Sequence, residues 1–237
     1  MPENASTRII VALDYADERL AIAFTEQINP ELCKLKVGKE LFTRAGPQLI
    51  KRLVDSGYDV FLDLKFHDIP NTVAGAVAAS ADLGVWMVNV HCSGGSKMLL
   101  AARQALDKHG GQTLLTGVTV LTSLNRSDLV EIGIERAPDE QVMVLASLAA
   151  ENGLDGIVCS GQEAGIIKDR FGDDFLRVTP GIRPVDYLSK DDQRRTLTPR
   201  QALTQGSSYL VIGRPVTEAS SPVDALLALK KEIGEDG

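Results

Sequence analysis

The sequence predicts a single domain, residues 1–237, folded as an α/β barrel of the TIM type, (β/α)8. Eight short runs rich in aliphatic and β-branched residues recur along the chain, and stretches with helical spacing separate most of them. Strands that alternate with helices indicate βαβ units and a parallel sheet. The chain length of 237 residues is close to the about 250 residues that a closed barrel needs. Eight repeating units favour this barrel over an open doubly wound sheet, which has about five or six strands.

The predicted strands are short, and most of them end in a polar or glycine-containing turn. In chain order they are residues 9–13, 35–37, 60–64, 87–90, 117–121, 156–159, 177–179 and 209–212. Apolar residues repeat at three- and four-residue spacing in the predicted helices, which are residues 42–53, 74–79, 98–106, 142–150 and 225–229. The polar stretch 185–195 is predicted to be a loop after the seventh strand, so nothing divides the chain into two domains.

Composition limits the classes of partner. The formal net charge of −7 argues against a general binder of nucleic acid or of an anionic membrane surface. No run approaches 18 consecutive apolar residues, and no signal-peptide pattern is present. Cys33, Cys92 and Cys159 lie far apart and outside any C-x-x-C motif, which is typical of small buried residues in a reducing compartment. We therefore expect a cytoplasmic protein that binds neither nucleic acid nor membrane.

Charged side chains lie at the carboxyl ends of the predicted strands, where the catalytic residues of α/β barrels are found. Asp63 and Lys65 are two residues apart on the third strand, so they share a face. Lys36 ends the neighbouring second strand, and Asp68 follows on the loop after the third. Charges inside a barrel are costly unless they are paired, and four charges of alternating sign would keep one another ionised. A purely structural ion pair at the barrel mouth is the alternative interpretation.

These residues belong to a set of motifs that resembles the orotidine 5'-phosphate decarboxylase family, and its bacterial branch in the wording Lys65-Phe66-His67-Asp68. The motifs, in the family's order over about residues 8–216, are Val11-Ala12-Leu13-Asp14, Leu35-Lys36-Val37-Gly38, Asp63-x-Lys65-x-x-Asp68-Ile69-Pro70-x-Thr72, Pro180-Gly181-Ile182-Arg183 and Ile212-Gly213-Arg214. The resemblance implies decarboxylation of orotidine 5'-monophosphate to uridine 5'-monophosphate, the last step of de novo pyrimidine nucleotide synthesis, without a metal or other cofactor.

The resemblance also implies roles for individual residues. Lys36, Asp63, Lys65 and Asp68 form the family's charged tetrad, with Lys65 as electrostatic stabiliser and proton donor. The protein is then expected to be a homodimer with shared active sites, because Asp68 and Thr72 reach the site of the neighbouring subunit. The other substrate-binding residues implied are Asp14 and Lys36 at the ribose, Thr122 near the pyrimidine, Gln193 on a lid between phosphate and base, and Leu64, Phe66, His67, Ile69, Pro70 and Asn71 around the third-strand motif.

Two glycine and arginine pairs mark the expected phosphate site. Barrels often bind phosphate with the loops after strands seven and eight, and here those loops carry Gly181 with Arg183, and Gly213 with Arg214. Glycine lets a backbone N–H approach the phosphate, and arginine gives bidentate charge-assisted hydrogen bonds. We therefore expect Arg183 and Arg214 to hold the substrate phosphate.

Two other functions stay open on sequence alone. A metal-dependent sugar-phosphate decarboxylase or aldolase of the same superfamily also carries D-x-K-x-x-D. In that branch the resemblance implies a carboxylate ligand where this chain has Lys36, which would repel a cation. A non-catalytic phosphate-ligand sensor on the barrel scaffold could keep Arg183 and Arg214, but this chain also keeps all four charges of the tetrad.

Three further residues suggest other chemistry. His91 and Cys92 form a His/Cys pair of the kind used in nucleophilic catalysis, but neighbouring residues on a strand point to opposite faces. His67 is predicted to be a packing and hydrogen-bonding residue, because the residues around it already supply the chemistry. Trp86, just before the fourth strand, is predicted to lie in the core.

Overall fold

The computed structural model describes residues 7–184, 187 and 197–235. Eight parallel strands close into a barrel in sequential order, with the eighth strand paired to the first. The predicted (β/α)8 fold is therefore confirmed. The strands are β1 (Ile9–Ala12), β2 (Lys34–Gly38), β3 (Val60–Phe66), β4 (Met87–His91), β5 (Leu114–Val118), β6 (Gly156–Val158), β7 (Leu176–Thr179) and β8 (Tyr209–Ile212).

Helices follow the strands and cover the outside of the barrel, as βαβ units require. They are α1 (Glu18–Thr25), α2 (Lys39–Ala45), α3 (Pro47–Asp55), α4 (Pro70–Asp82), α5 (Gly95–His109), α6 (Arg126–Glu131), α7 (Pro138–Glu151), α8 (Ala164–Phe171), α9 (Pro199–Thr204), α10 (Arg214–Thr217) and α11 (Pro222–Ile233), with a 3-10 turn at Cys92–Gly94. Within the described ranges, no helix has both the length and the apolar character that crossing a membrane would need.

The fifth strand lies three residues earlier than predicted. It covers Leu114–Val118 rather than 117–121, because residues 114–121 form one largely apolar run whose ends periodicity cannot fix. After the strand, the Thr119 hydroxyl donates to the Val158 carbonyl at 3.1 Å, and the chain leaves the ladder. Thr122, which directly follows the predicted strand 117–121, therefore lies four residues beyond Val118, and the expectation that it stands at the strand end was wrong.

The helix predicted over residues 42–53 is two helices. Gly46 separates α2 from α3 with φ 72° and ψ −171°, a backbone region that essentially only glycine adopts. Pro47 then begins α3, where its missing N–H breaks no hydrogen bond. The apolar spacing continues across this break, because the apolar side chains of both helices pack against the sheet. The spacing alone therefore could not reveal the break at Gly46.

Side chains of the strands alternate between two packed layers. Those that face the helices form the larger core, with Ile9, Val11, Leu35 and Leu62 among its buried members. Those that face the barrel axis form a smaller apolar cluster of Ile10, Ala12, Phe61, Met87, Val178 and Val211. The apolar cluster fills the middle of the barrel and separates Lys34 at the amino end of the strands from Lys36 and Asp63 at the carboxyl end.

At the amino end of the strands, one buried lysine closes the barrel. Lys34 Nζ lies 2.5 Å from Asp59 Oδ2 and 4.5 Å from the centre of the Trp86 ring. Trp86 packs edge-to-face on Tyr209 with ring centroids 5.0 Å apart, and both rings contact the inner apolar cluster. Trp86, predicted to be a core residue, is partly buried against this cluster, and the buried lysine of this end is paired with a carboxylate.

Candidate active site

The first three strands bring three of the predicted charged residues together with Asp14. Lys36 Nζ lies 3.5 Å from Asp63 Oδ2, and Lys65 Nζ lies 2.5 Å from Asp63 Oδ1. Lys36 Nζ also donates to Asp14 Oδ1 at 3.1 Å. We call Asp14, Lys36, Asp63 and Lys65 the charged row. A Cβ at Gly38 would come within 3.2 Å of Lys36 Nζ, so a glycine there leaves room for the ammonium group.

Asp63 stays ionised although it is buried. Only 12% of its side chain is exposed, and burial by itself raises the pKa of the carboxyl group. The ammonium groups of Lys36 and Lys65 and a hydrogen bond from Asn89 act in the opposite direction and outweigh burial, so the pKa of Asp63 lies below its ordinary value. Loss of either lysine would leave part of a buried charge uncompensated, which is costly.

Sequence reasoning missed Asn89, which lies on β4 beside the charged row. It is fully buried. Its Nδ2 donates to Asp63 Oδ1 at 2.7 Å, and its Oδ1 accepts from the Lys65 backbone N–H at 2.7 Å. A signal was present in the sequence, because a barrel-facing amide in an otherwise largely apolar strand stands where an apolar side chain is expected.

The backbone of Lys65 departs from regular strand geometry. Its φ of 52° is left-handed, and over the described ranges no other non-glycine residue has a positive φ. The pairing of β3 with β4 is regular up to Leu62 and resumes at Phe66, as in a β-bulge, and bulges often occur next to active sites. The predicted division of faces is nevertheless confirmed: Asp63 and Lys65 meet at the mouth, while Leu64 and Phe66 pack against the outer core.

The loop after β3 leads Asp68 away from the charged row of its own chain. Asp68 is exposed, and its Oδ1 accepts from the Ile69 backbone N–H at 2.6 Å. Over the described part of this single chain, no ion pair joins Asp68 to Lys65. The residues that follow Asp68 share its exposure; they are Ile69, Pro70, Asn71 and Thr72. The expected approach of Asp68 and Thr72 to a neighbouring subunit stays a prediction.

A cavity of about 160 Å³ opens beside the charged row. Lys36, Asp63 and Lys65 form its charged wall, and Thr122 reaches it from the loop after β5. The rest of the lining is almost entirely apolar and comprises Phe61, Val118, Val120, Leu121, Val158, Pro180 and Val211. Such a cavity fits a planar ring on its apolar surface and puts ammonium groups at one edge of that ring.

The predicted phosphate-binding residues lie on the loops after β7 and β8. Arg183 is buried, and its Nη1 donates to the Ile182 carbonyl at 2.9 Å. Gly181 has φ 80°, a conformation that favours glycine. Arg214 is exposed at the start of α10, directly after Gly213. Gln193, the predicted lid residue, lies outside the described residues.

The Tyr187 hydroxyl joins the two arginine loops, because Tyr187 follows Arg183 on the loop after β7 and bonds Glu218 at the end of α10. Burial raises the pKa of its hydroxyl, and so does its 3.1 Å hydrogen bond to Glu218 Oε2. Arg214 and Arg183 act in the opposite direction and lower it. Gly213 is also close to Asp14, since a Cβ on it would meet Asp14 Oδ2 at 3.8 Å. The arginine loops therefore border the ribose-binding end predicted for the charged row.

His91 and Cys92 do not form a nucleophilic pair. Cys92 is fully buried in the outer core, and burial raises the pKa of its thiol to about 12. The His91 ring lies on the other face, 5.4 Å from the ring of His67. These positions confirm that neighbouring strand residues point apart. His67 is exposed on this chain, and its packing and hydrogen-bonding role stays a prediction.

Comparison with known proteins gives a consistent family. The model of the "Orotidine 5'-phosphate decarboxylase / HUMPS family" matches residues 7–229. A protein of Pseudoalteromonas translucida called orotidine 5'-phosphate decarboxylase is 55% identical over 234 residues, 98% of this chain and 100% of its own length. A protein of Chromohalobacter salexigens with the same name is 54% identical over 235 residues, 99% of each chain.

Solved structures agree with this result. The crystal structure of orotidine 5'-phosphate decarboxylase from Lactobacillus acidophilus superposes with a TM-score of 0.86 at 40% identity, covering 96% of this chain and 99% of that one. An uncharacterized conserved protein from Geobacillus kaustophilus gives a TM-score of 0.82 at 39% identity, covering 95% and 99%. The likeness therefore extends over nearly the whole barrel.

The cationic surroundings of His91 predict an acid-sensitive fold. Burial, His67, Lys39 and Lys65 lower the pKa of His91 to about 4, against the raising effect of Asp63. The unfolded chain binds this proton near pH 6.5, so the free energy of unfolding falls as the pH falls from 6.5 to 4. The lowered pKa of Asp63 costs stability only below that window.

When the pH is lowered from 6.5 to 4.5, we expect the free energy of unfolding to fall less in His91→Gln than in the wild type. Because the ring is half-buried, solvent screening limits the difference to about 1 kcal/mol, or about 2–4 °C in Tm. Thermal unfolding followed by circular dichroism at several pH values measures it. Parallel Tm curves for the two proteins would contradict the assignment to His91.

Proposed function

The chain belongs to the orotidine 5'-phosphate decarboxylase / HUMPS family, and on this premise we propose that it decarboxylates orotidine 5'-monophosphate to uridine 5'-monophosphate, the last step of pyrimidine nucleotide synthesis. The observation that carries the proposal is the Lys36–Asp63–Lys65 part of the charged row, which lines a cavity with an apolar floor. The relatives of the same name, 54–55% identical over nearly the full chain, support it.

The chemistry requires a cation and a proton at one ring carbon. When the bond to the carboxylate breaks, carbon dioxide leaves and the electron pair stays on the pyrimidine carbon. The Lys65 ammonium stabilises that charge and then donates a proton to form the C–H bond, after which solvent reprotonates the amine. The hydrogen bond to Asp63, 2.5 Å long, keeps the ammonium in place before the substrate arrives.

Asp63 acts mainly through preorganised electrostatics in this mechanism. Its carboxylate binds Lys65, Lys36 and Asn89 at once, so its position and charge are fixed by the protein itself. Fixed charges need no reorganisation as the reaction proceeds, which is the largest source of electrostatic catalysis in many enzymes. Crowding of the substrate carboxylate by Asp63 is a further contribution to rate that we rank second.

The rest of the substrate is proposed to lie across the barrel mouth. Asp14 and Lys36 hydrogen-bond the ribose hydroxyls, and Thr122 contacts the pyrimidine at the edge of the cavity. Arg183 and Arg214 bind the phosphate, which the hydrogen bond of Tyr187 to Glu218 between their two loops supports. Gln193 is proposed to link phosphate and base.

We propose that the enzyme is a homodimer with shared sites. The charged row of one chain contains two ammonium groups and two carboxylates, and Asp68 is exposed at the rim with 67% of Ile69 exposed beside it. An exposed carboxylate next to an apolar side chain is suited to an interface near a second mouth. Asp68 and Thr72 of each chain would then complete the site of the other.

Metal-free chemistry and a cytoplasmic location are also proposed. The Lys36 ammonium binds both Asp14 and Asp63, so the carboxylates that a divalent cation would seek are already paired with a cation. This arrangement disfavours the metal-dependent sugar-phosphate enzymes as an alternative. The free, buried thiols Cys33, Cys92 and Cys159 suit a reducing compartment.

Purified protein is expected to convert orotidine 5'-monophosphate to uridine 5'-monophosphate at an undiminished rate in excess EDTA. The reason is that Lys65, not a metal ion, supplies the positive charge. The decrease in ultraviolet absorbance on loss of the carboxylate follows the reaction. No turnover with or without added divalent metal would reject the function, and turnover that returns only on adding metal would reject the mechanism.

Lys65→Ala should lower kcat by at least about a thousandfold, because general acid catalysis contributes roughly 10²–10⁴ and one electrostatic donor roughly 10²–10³. The Kd for uridine 5'-monophosphate should change by less than about tenfold, since the other contacts remain. Lys51→Ala, which removes an exposed helix lysine paired with Asp55, is the matched control and should keep wild-type kcat. Near-normal kcat in Lys65→Ala would refute the role of Lys65.

Mixing inactive Lys65→Ala and Asp68→Ala proteins should restore activity through hybrid dimers. In such a dimer one of the two sites receives both an intact Lys65 and an intact Asp68, so random exchange yields up to about a quarter of the wild-type activity per chain. Subunit exchange is verified separately by mass spectrometry of differently tagged chains. Exchange without recovery of activity would show that Asp68 acts within its own chain.

A further inference from the structure

The pairing between β3 and β4 contains a gap that one side chain fills. The ladder is interrupted after Leu62 and resumes at Phe66. Residues 63–65 therefore face only Asn89 on the neighbouring strand, whereas a regular parallel ladder would pair residue with residue. Two of these three residues are Asp63 and Lys65, so the irregular segment carries the reacting charges.

Asn89 supplies the hydrogen bonds that the interrupted ladder lacks. Its Oδ1 accepts from the Lys65 backbone N–H at 2.7 Å, and its Nδ2 donates to Asp63 Oδ1 at 2.7 Å. It is 0% exposed, so water cannot substitute for either contact. Lys65 has φ 52°, a conformation that costs free energy for a residue with a side chain and persists only where its surroundings hold it.

The two contacts close a ring around Lys65. Asp63 Oδ1 accepts both the Lys65 ammonium at 2.5 Å and the Asn89 amide at 2.7 Å. Asn89 thus connects the backbone of the lysine to the carboxylate that binds the tip of the same lysine. We propose that Asn89 is a positioning residue of the decarboxylation: it fixes both ends of Lys65 and thereby the place of its ammonium group. The inference rests on the proposed function and adds a residue to it.

Only an asparagine side chain meets both requirements at this position. An aspartate could accept from Lys65 but has no donor for Asp63 and would place a second negative charge beside it. A leucine of similar shape would leave the Lys65 N–H and one Asp63 contact without a partner. Glutamine is one methylene longer, and overpacking displaces its surroundings in a fully buried site.

Asn89→Leu and Asn89→Asp test the role against Thr116→Val as the matched control. Thr116 is also fully buried, lies on β5 in register with Asn89, and donates to the Val88 carbonyl at 3.4 Å. All three variants are measured for kcat, KM, Kd of uridine 5'-monophosphate, and Tm. Asn89→Leu should lower kcat about a hundredfold, the usual effect of misplacing a catalytic group by about 1 Å. Its product Kd should change by less than about threefold.

The pH profile of Asn89→Asp gives a signature that a merely structural role would not produce. At neutral pH the introduced carboxylate repels Asp63, and kcat should fall at least tenfold. At acid pH the introduced carboxyl binds a proton and can donate to Asp63 as the amide did. The ratio of wild-type to variant kcat should therefore decrease as the pH is lowered.

The outcomes separate the two proposals. Wild-type protein without turnover would overturn the proposed function and this inference with it. Active wild-type protein with a kcat in Asn89→Leu that falls no further than in Thr116→Val would overturn the role of Asn89 alone. If Asn89→Leu does not fold, the isosteric Asn89→Asp decides, and a pH-independent ratio of kcat values would refute the proposal.

Discussion

The site depends on one buried carboxylate that binds two ammonium groups. Asp63 is almost enclosed, yet Lys36 and Lys65 hold its pKa below the ordinary value. In the wall of the cavity two ammonium groups surround this one carboxylate, so positive charge is in excess there; the other carboxylate of the charged row, Asp14, lies outside the lining, and 69% of its side chain is exposed. That excess charge is available to an anion forming on the substrate. Asn89 satisfies the carboxylate further without adding charge, so the excess is kept.

This electrostatic arrangement imposes a cost on the backbone of β3. Residues 63–65 of β3 lie opposite the single residue Asn89 of β4, and Lys65 is held in a left-handed conformation. A regular ladder would have been more stable but would space the side chains at the fixed period of a pleated strand. Strain of this kind is found where function requires it. The barrel tolerates it because the other seven interfaces of the closed sheet have regular pairing.

The sequence was sufficient for the parts that depend on pattern. The alternation of side chains along a strand predicted that Asp63 and Lys65 share a face. The adjacency of the second and third strands predicted that Lys36 lies beside them, and the eight apolar runs predicted the barrel. The sequence pattern was insufficient where the local backbone conformation determines the course of the chain. The bulge at Lys65 and the break at Gly46 change conformation without interrupting the apolar pattern, and the ends of β5 lie within one apolar run. Asn89 was missed because its role exists only once the bulge has formed.

The two inward-facing lysines of β2 show why one end of the barrel forms the candidate active site and the other end only stabilises the fold. Lys34 and Lys36 are two residues apart, share a face and are both nearly buried. Lys34 has Asp59 to itself and the ring of Trp86 over its ammonium group, so no charge is left over. Lys36 shares Asp63 with Lys65. Burial of charge therefore does not by itself identify an active site; a carboxylate shared by two ammonium groups in the wall of a cavity is the more specific signal.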